Sequence, residues 1–132
     1  MKISASARFN AANVSGLLSK IAAGAVDGVT KAGQQALEIE QALTPVATGA
    51  LRDSETCVVT QDSTSVEARI GPQGIFYDEY VEYGTGRRGG PAPYAHVETW
   101  AGMSPEPYAR PMMDEMTPQV PGIIADAIKD QL

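Results

Sequence analysis

The deciding stretch of this sequence is Thr44-Pro45-Val46-Ala47-Thr48-Gly49-Ala50-Leu51-Arg52-Asp53-Ser54. It lies between a long helical pattern and two strand patterns. Pro45 lacks an amide proton and disfavours helical backbone at the residue before it, so the preceding helix should end by Leu43. Thr48 can then cap one short helical turn, because its hydroxyl accepts an otherwise unpaired amide proton. The stretch pairs no nucleophile with a base, and we interpret it as a structural joint.

One strand and one long helix precede this joint. Residues 2–9 alternate between polar and apolar, which predicts a half-buried strand. Asn13 is then a candidate helix cap. Beyond it, apolar residues recur at spacings of three and four and predict one buried stripe of a helix: Val14, Leu17, Leu18, Ile21, Ala25, Val29, Ala32, Ala36, Ile39 and Leu43.

The predicted helix is about 45 Å long, more than a domain of this size needs to cover its own sheet, so part of it can serve a neighbouring molecule. It also contains Gly16, Gly24, Gly28 and Gly33. Glycine weakens a helix interior, which favours a break near residues 24–33, but small residues also permit close helix packing. The sequence leaves both outcomes open.

A β-hairpin is predicted after the joint. Residues 55–61 are rich in β-branched side chains, residues 65–70 alternate in polarity, and Asp62-Ser63-Thr64 has the composition of a turn. Val66, Ala68 and Ile70 should face the long helix. Cys57 is the one cysteine of the chain, which excludes an intramolecular disulfide, and we expect it to pack as a small apolar side chain.

Three carboxylates follow on a predicted short helix, at Asp78, Glu79 and Glu82. They suggest either a solvated acidic helix face or a metal or acid-base site. His96 is the one histidine in the sequence, and no second acidic or histidine cluster completes such a site. The patterns of the common hydrolytic enzymes are also missing from the sequence, so we expect no catalytic, cofactor-binding or metal-binding residues.

Residues 84–105 are rich in glycine and proline and are predicted to form a long exposed loop. Arg87 and Arg88 are too few for a strong electrostatic footprint on DNA, and contact with a neighbouring subunit is the expected role of this loop. Trp100 is a candidate anchor for the same interface.

The C-terminal part is predicted to return to the sheet and then to become helical. Pro107 and Pro111 disfavour helix at the residues before them, so residues 107–111 should be extended. A helix should begin with Pro111 at its first position. Pro118 and Pro121 then interrupt it before an apolar stripe resumes near the C-terminus. The predicted fold class is α+β: a small antiparallel sheet packed by a long N-terminal helix, with a short acidic helix and a broken C-terminal helix.

Composition limits the remaining possibilities. With 132 residues, the sequence predicts a single domain over 1–132. Sixteen acidic against ten basic residues give a net charge of -6, which argues against static binding to nucleic acid but suits a wall past which DNA slides. The start of the chain lacks the apolar core of a signal peptide, and no window approaches 18 apolar residues, so we expect a soluble protein without membrane contact.

Three sequence blocks together resemble a known family. They read P-V-x-T-G-x-L-R-x-S, Y-x-x-Y-V-E-x-G-T and P-[FY]-x-R-P, and they occur in this order between Pro45 and Met112. In this pattern the chain resembles the neck, or tail-completion, family of long-tailed double-stranded DNA phages, the gene-product-ten-like family. Among the matching positions, those taken as the structural motif are Pro45, Thr48, Gly49, Leu51, Arg52, Ser54, Tyr77, Tyr80, Glu82, Gly84, Thr85, Pro107, Arg110 and Pro111.

The resemblance implies a structural virion protein that forms a ring, most simply of six copies, at the head-tail junction. The ring would connect the head-side connector to the tail tube, let DNA pass without sequence-specific binding, and contact other neck and tail proteins. Assembly would take place in the host cytoplasm. The prolines at 118 and 121 depart from the family, in which this region is usually one continuous helix.

Two alternatives stay open at this point. One is a tail terminator, which caps the tail tube and also forms rings. The other is a small metal-dependent enzyme that uses Asp78, Glu79 and Glu82. A further hypothesis is that Arg52 and Glu82, which have opposite charges and lie in two of the blocks, form an ion pair.

Overall fold

The computed structural model describes residues 1–6, 15–46, 49–75, 77–84 and 104–132. Along the chain these form β1 (Lys2–Ser6), α1 (Ser15–Leu43), α2 (Ala50–Ser54), β2 (Glu55–Gln61), β3 (Ser65–Pro72), α3 (Asp78–Tyr83), α4 (Ala109–Met116) and α5 (Val120–Gln131). The strands make one antiparallel sheet in the order β1-β3-β2. The fold class is therefore α+β, as predicted.

The β2-β3 hairpin follows the sequence pattern closely. The predicted turn is held by Asp62, whose carboxylate accepts hydrogen bonds from the amides of Thr64 and Ser65 at 2.7 and 2.8 Å. Val66, Ala68 and Ile70 are buried in the core, as the alternation predicts. Residues 7–9, which were expected to continue the first strand, lie outside the described part.

The long helix α1 covers one face of the sheet. It ends at Leu43, directly before the Thr44-Pro45 pair, as predicted. Its buried face meets residues from the sheet and from α4 in one core, formed by Ile3, Val29, Ala32, Ala36, Val66, Ala68, Ile70, Met112 and Met116. Leu17 and Leu43, which belong to the predicted stripe, are exposed instead, because the sheet and α5 cover only part of the helix.

The glycines of α1 permit close packing, and the alternative prediction of a helix break is wrong. A methyl group on Gly24 would lie 2.5 Å from Cα of Ile128, and one on Gly28 would lie 2.7 Å from Cα of Ile124. As the α1 positions rise by four, the α5 positions fall by four, so the two helices run antiparallel with their backbones nearly touching. Gly33 provides the same clearance for Cys57, whose sulfur packs against α1 as expected.

The C-terminal helix is broken, as predicted. The chain turns at Thr117–Gln119 and resumes as α5 with Pro121 in its first turn.

The predicted start of this C-terminal region is wrong. Residues 107–111 form no strand in the described sheet, and α4 begins at Ala109 with Arg110 already helical. Pro111 is the third helical residue, not the first. A proline is tolerated there because the first amides of a helix have no partner inside it.

None of the helices in the described ranges combines the length and apolar character that a membrane span requires.

Candidate functional site

The best-defined polar site of the molecule is centred on Glu82. This side chain is 5% exposed although it belongs to α3, a helix predicted to have a solvated acidic face. Its Oε2 atom accepts the amide protons of Tyr108 and Ala109 at 2.8 and 3.0 Å. Its Oε1 atom accepts the amide proton of Arg110 at 3.0 Å. Glu82 thus caps the N-terminus of α4 from another element, and the solvated interpretation is wrong for this residue.

Arg110 completes the contact from the other side. Its Nε donates to Oε1 of Glu82 and its Nη2 donates to the Glu82 carbonyl, both at 3.0 Å. The guanidinium also stacks over the ring of Tyr83, 4.9 Å from the ring centre. The amide of Glu106 donates to the Val81 carbonyl at 2.8 Å, so the segment before α4 is bonded to α3 as well.

These contacts decide the charge of Glu82. Burial acts to raise the pKa of its carboxyl group, but the three amide hydrogen bonds and Arg110 outweigh burial and hold this pKa below its usual range. Glu82 is therefore ionised at neutral pH with its oxygens already bonded. A carboxylate in this state is a poor proton donor or acceptor for catalysis.

A second group of buried polar residues joins the end of α1 to the start of β2. The hydroxyl oxygen of Thr44 lies 2.7 Å from the Glu40 carbonyl oxygen, and it also contacts Oε1 of Glu55. Glu40 and Glu55 are 1% and 3% exposed. Within the part of the chain that the structure describes, neither carboxylate oxygen of Glu40, nor Oε2 of Glu55, has a hydrogen-bond partner.

Burial governs the protonation of this second group. Burial is the main cause that raises the pKa of Glu40 to about 7, and the nearby carboxylate of Glu55 contributes in the same direction. Burial also raises the pKa of Glu55, against the opposing effects of its hydrogen bond with Thr44 and of the Arg52 charge. These two carboxyl groups thus differ from Glu82, because burial outweighs the donors around them.

Tyr108 lies between the two groups. It is 2% exposed, and burial raises the pKa of its phenol well above the usual range, with further contributions from Asp78, Glu40, Glu55 and Glu82. The carboxylates on α1, β2 and α3 therefore all raise the pKa of this side chain. Tyr108, in the third block, thus lies near Asp78 and Glu82 of the second block and near Glu40 and Glu55, which flank the first block.

The remaining residues of the three blocks mostly set the main-chain conformation or form local hydrogen bonds. Gly49 and Gly84 have φ angles of 84° and 73°, which glycine adopts more readily than other residues. Leu51 is buried, Ser54 donates to the Leu51 carbonyl at 2.6 Å, and the Tyr77 carbonyl accepts the Val81 amide at 3.2 Å. Pro45 and Pro111 are half-buried, Pro107 is exposed, and Tyr80 lies within α3.

The hypothesis of an Arg52–Glu82 ion pair is wrong. Arg52 is exposed, and its Nε lies 3.4 Å from Oδ1 of its neighbour Asp53. The partner of Glu82 is Arg110. Complementary charge in two blocks indicated a contact between blocks, but the sequence alone did not identify the correct pair.

Several predicted residues lie outside the described ranges. They are Asn13, Val14, Thr48, Thr85, Arg87, Arg88, His96 and Trp100, together with most of the expected loop 84–105.

Sequence analysis missed Glu40, Thr44, Glu55 and Tyr108 as site residues. One signal was present, because Glu40 lies four residues after Ala36 and therefore continues the buried face of α1. A charged residue at such a position marks a buried polar site.

Among the described residues, no group of three or more His, Cys, Asp or Glu side chains is arranged to hold a metal ion. Comparison of the chain with protein-family models, with curated proteins and with solved structures found no match.

Proposed function

We propose that this protein is a non-enzymatic structural component of a phage particle, which forms a ring at the head-tail junction. Copies of the chain, most simply six, would connect the head-side connector to the tail tube and leave a passage for DNA. The proposal rests on the three ordered sequence blocks between Pro45 and Met112. It places the protein in the virion neck, after assembly in the host cytoplasm.

The observation that supports a structural role most directly is how Glu82 is used. It lies in the second block, and it binds backbone amides and the guanidinium of the third block. These contacts join the end of the second block to the start of the third, on either side of residues 85–103. A structural protein that assembles into a ring must present the same surface in every copy. A contact that fixes α3 against α4, as Glu82 does, is expected in such a protein.

Apolar side chains on the surface are candidates for contact with neighbouring copies. Leu43 and Val46 are 42% and 56% exposed beside the first block, and Tyr83 and Met113 are 63% and 40% exposed near the second and third. Assembly would bury such residues at subunit contacts. The exposed start of α1 with Leu17, and the residues 87, 88 and 100 singled out from the sequence, are further candidates.

The experiment that tests the proposal is electron microscopy of the intact particle that carries this chain, with the protein located by a tag at its C-terminus. A ring between connector and tail tube is the expected result. A ring at the end of the tube farthest from the baseplate without a separate neck layer would support the tail-terminator alternative. Absence of the tag from purified particles would overturn both.

A solution experiment separates the structural class from the enzyme class. The purified protein is titrated with Mg²⁺ and Mn²⁺ in a calorimeter, alongside the variant Asp78→Asn. We expect no binding in either case. Binding that is lost in the variant would indicate that the carboxylates of α3 form a metal site, and the enzyme hypothesis would replace the ring.

A further inference from the structure

The carboxyl groups of Glu40 and Glu55 are buried, and the described part of the chain offers them too few hydrogen-bond donors. Glu40 belongs to α1 and Glu55 to β2, and the Thr44 hydroxyl contacts the main-chain carbonyl of Glu40 and the carboxylate of Glu55. Both oxygens of Glu40 and one oxygen of Glu55 are inaccessible to a water-sized probe and have no hydrogen-bond partner within the described residues. An ionised carboxylate in such a place is strongly disfavoured, so a positive species must neutralise it.

A proton is the species that this site accepts most easily. Because water cannot reach the carboxylate oxygens, a hydrated metal ion or a side chain from another molecule would have to displace the packing first. A proton binds directly to an oxygen atom and needs no additional space. It also converts an acceptor that lacks a donor into a neutral carboxyl group.

The hydroxyl of Thr44 has too few protons for both of its contacts. As a donor to Glu55 it favours the ionised carboxylate, and as a donor to the Glu40 carbonyl it leaves the Glu55 carboxylate without a donor among the described residues. It has one proton, yet its oxygen is within hydrogen-bonding distance of two acceptors, the Glu40 carbonyl and Oε1 of Glu55. Both contacts are satisfied when the hydroxyl donates to the carbonyl and a protonated Glu55 donates to the hydroxyl oxygen. The Thr44 contact is thus complete when Glu55 carries a proton.

We propose that Glu40, Thr44 and Glu55 form a proton-binding site that fastens the end of α1 to the start of β2, and that loss of the Glu40 proton loosens this joint. The inference is independent of the ring proposed above. It concerns the residues on either side of the stretch 44–54, whose two ends the site holds together.

Other charged groups act on this site from the surrounding elements. The Glu82 carboxylate on α3 adds to the negative potential at Glu40, while the α-amino group of Met1, which donates to the Ile70 carbonyl at 3.2 Å, opposes it. Arg52 on α2 acts in the same opposing sense on Glu55. Neither cation forms a hydrogen bond with the buried oxygens in the described part of the chain.

The sign of the pH dependence follows from these positions. Glu40 has a pKa raised from 4.5 to about 7 in the folded protein, so the folded state holds this proton more tightly than the unfolded chain. The stabilisation is complete below pH 4.5 and is lost as the pH rises through about 7. The folding equilibrium constant should fall by up to about tenfold per pH unit in this window from this group alone.

The test compares the protein with Glu40→Gln, which imitates the protonated side chain, and with Glu38→Gln, an exposed control in the same helix. Stability is measured by urea unfolding at pH 5 and pH 8. Relative to the unchanged protein, the folding constant of Glu40→Gln should rise on the order of a hundredfold between these pH values. Glu38→Gln should follow the unchanged protein, and an equal pH dependence in all three proteins would overturn the proposal.

Opening of the joint is measured separately by limited trypsin digestion at pH 8. Arg52 lies in the stretch that the site closes, and a cut after it is identified by the masses of the two fragments. The unchanged protein and Glu38→Gln should be cut there several times faster than Glu40→Gln. Equal rates in the three proteins would show that Glu40 does not control the joint.

A direct titration keeps the test valid if Glu40→Gln does not fold. The carboxyl carbon of Glu40 is followed by NMR in the unchanged protein from pH 4 to pH 9. A midpoint near 7 supports the proton site, and a midpoint near the ordinary 4.5 would overturn it.

Discussion

Glu82 and Arg110 lie 28 residues apart in the chain, and the Nε of Arg110 is 3.0 Å from Oε1 of Glu82. The same carboxylate accepts the amide protons of Tyr108, Ala109 and Arg110, so it fixes both the position and the start of α4. The contact joins residues on either side of a long intervening segment. It therefore holds α3 against α4 regardless of how that segment is arranged.

The substitution Glu82→Gln is expected to lower the free energy of unfolding by about 2 to 4 kcal/mol, because the single oxygen of a neutral amide cannot accept protons from three backbone amides and from Arg110. Urea unfolding at pH 7 measures the loss. Glu115→Gln, at an exposed position of α4, is the control and should change stability by less than about 0.5 kcal/mol. Similar small effects from both substitutions would mean that the cap contributes little.

Acid stability should depend on the same residue. The Glu82 pKa is held below its ordinary value of 4.5, so the ionised side chain contributes stability that is present above pH 4.5 and is lost as the pH falls through the folded-state pKa. Between pH 4.5 and pH 2.5, Glu82→Gln should therefore lose less stability than the unchanged protein, as followed by circular dichroism. Parallel curves for the two proteins would contradict the lowered pKa.

The close approach of α1 and α5 predicts opposite effects for two glycine substitutions. Gly28→Ala should destabilise the protein by about 1 to 3 kcal/mol, because its methyl group would overlap the α5 backbone at Ile124. Gly16→Ala, where the added methyl group meets no atom of the described residues within 4 Å, should stabilise it by up to about 1 kcal/mol through helix propensity. Thermal unfolding distinguishes the two outcomes, and a stabilising Gly28→Ala would refute the packing.

The contact between α1 and β2 gives a test by coupled substitution. A methyl group on Gly33 would lie 2.6 Å from the sulfur of Cys57, so Gly33→Ala should be destabilising. In Cys57→Ala the sulfur is gone, and adding Gly33→Ala there should cost at least about 1 kcal/mol less than in the unchanged protein. If the two costs add without coupling, the steric contact does not limit this interface.

The local elements of the fold could be predicted because their causes lie within a few residues of sequence. Pro45 ends α1, Asp62 forms the hairpin turn, and the alternation at Val66, Ala68 and Ile70 assigns the buried face of β3. Each effect acts through backbone geometry or side-chain period over one or two turns of chain. The α+β class followed from the order of these elements.

Other features were decided only when the elements packed together. Arg110 is helical despite the proline after it, because Glu82 supplies acceptors for the amides at the start of α4. Glu40 is buried because it continues the face of α1 that packs against the sheet and α4, whereas Glu38 and Leu43 near it are exposed. The glycines of α1, which by propensity favoured a break, are accommodated because α5 and β2 pack where side chains would have been.

The sequence by itself thus determined the α+β class and most of the helices and strands, with the start of α4 as an exception. Tertiary structure alone decided which residues meet, that Arg110 and not Arg52 pairs with Glu82, and that two carboxyl groups are buried beside Thr44. The physical reason is distance along the chain. Hydrogen bonds and burial between residues separated by tens of positions depend on the packed arrangement, which no local pattern specifies.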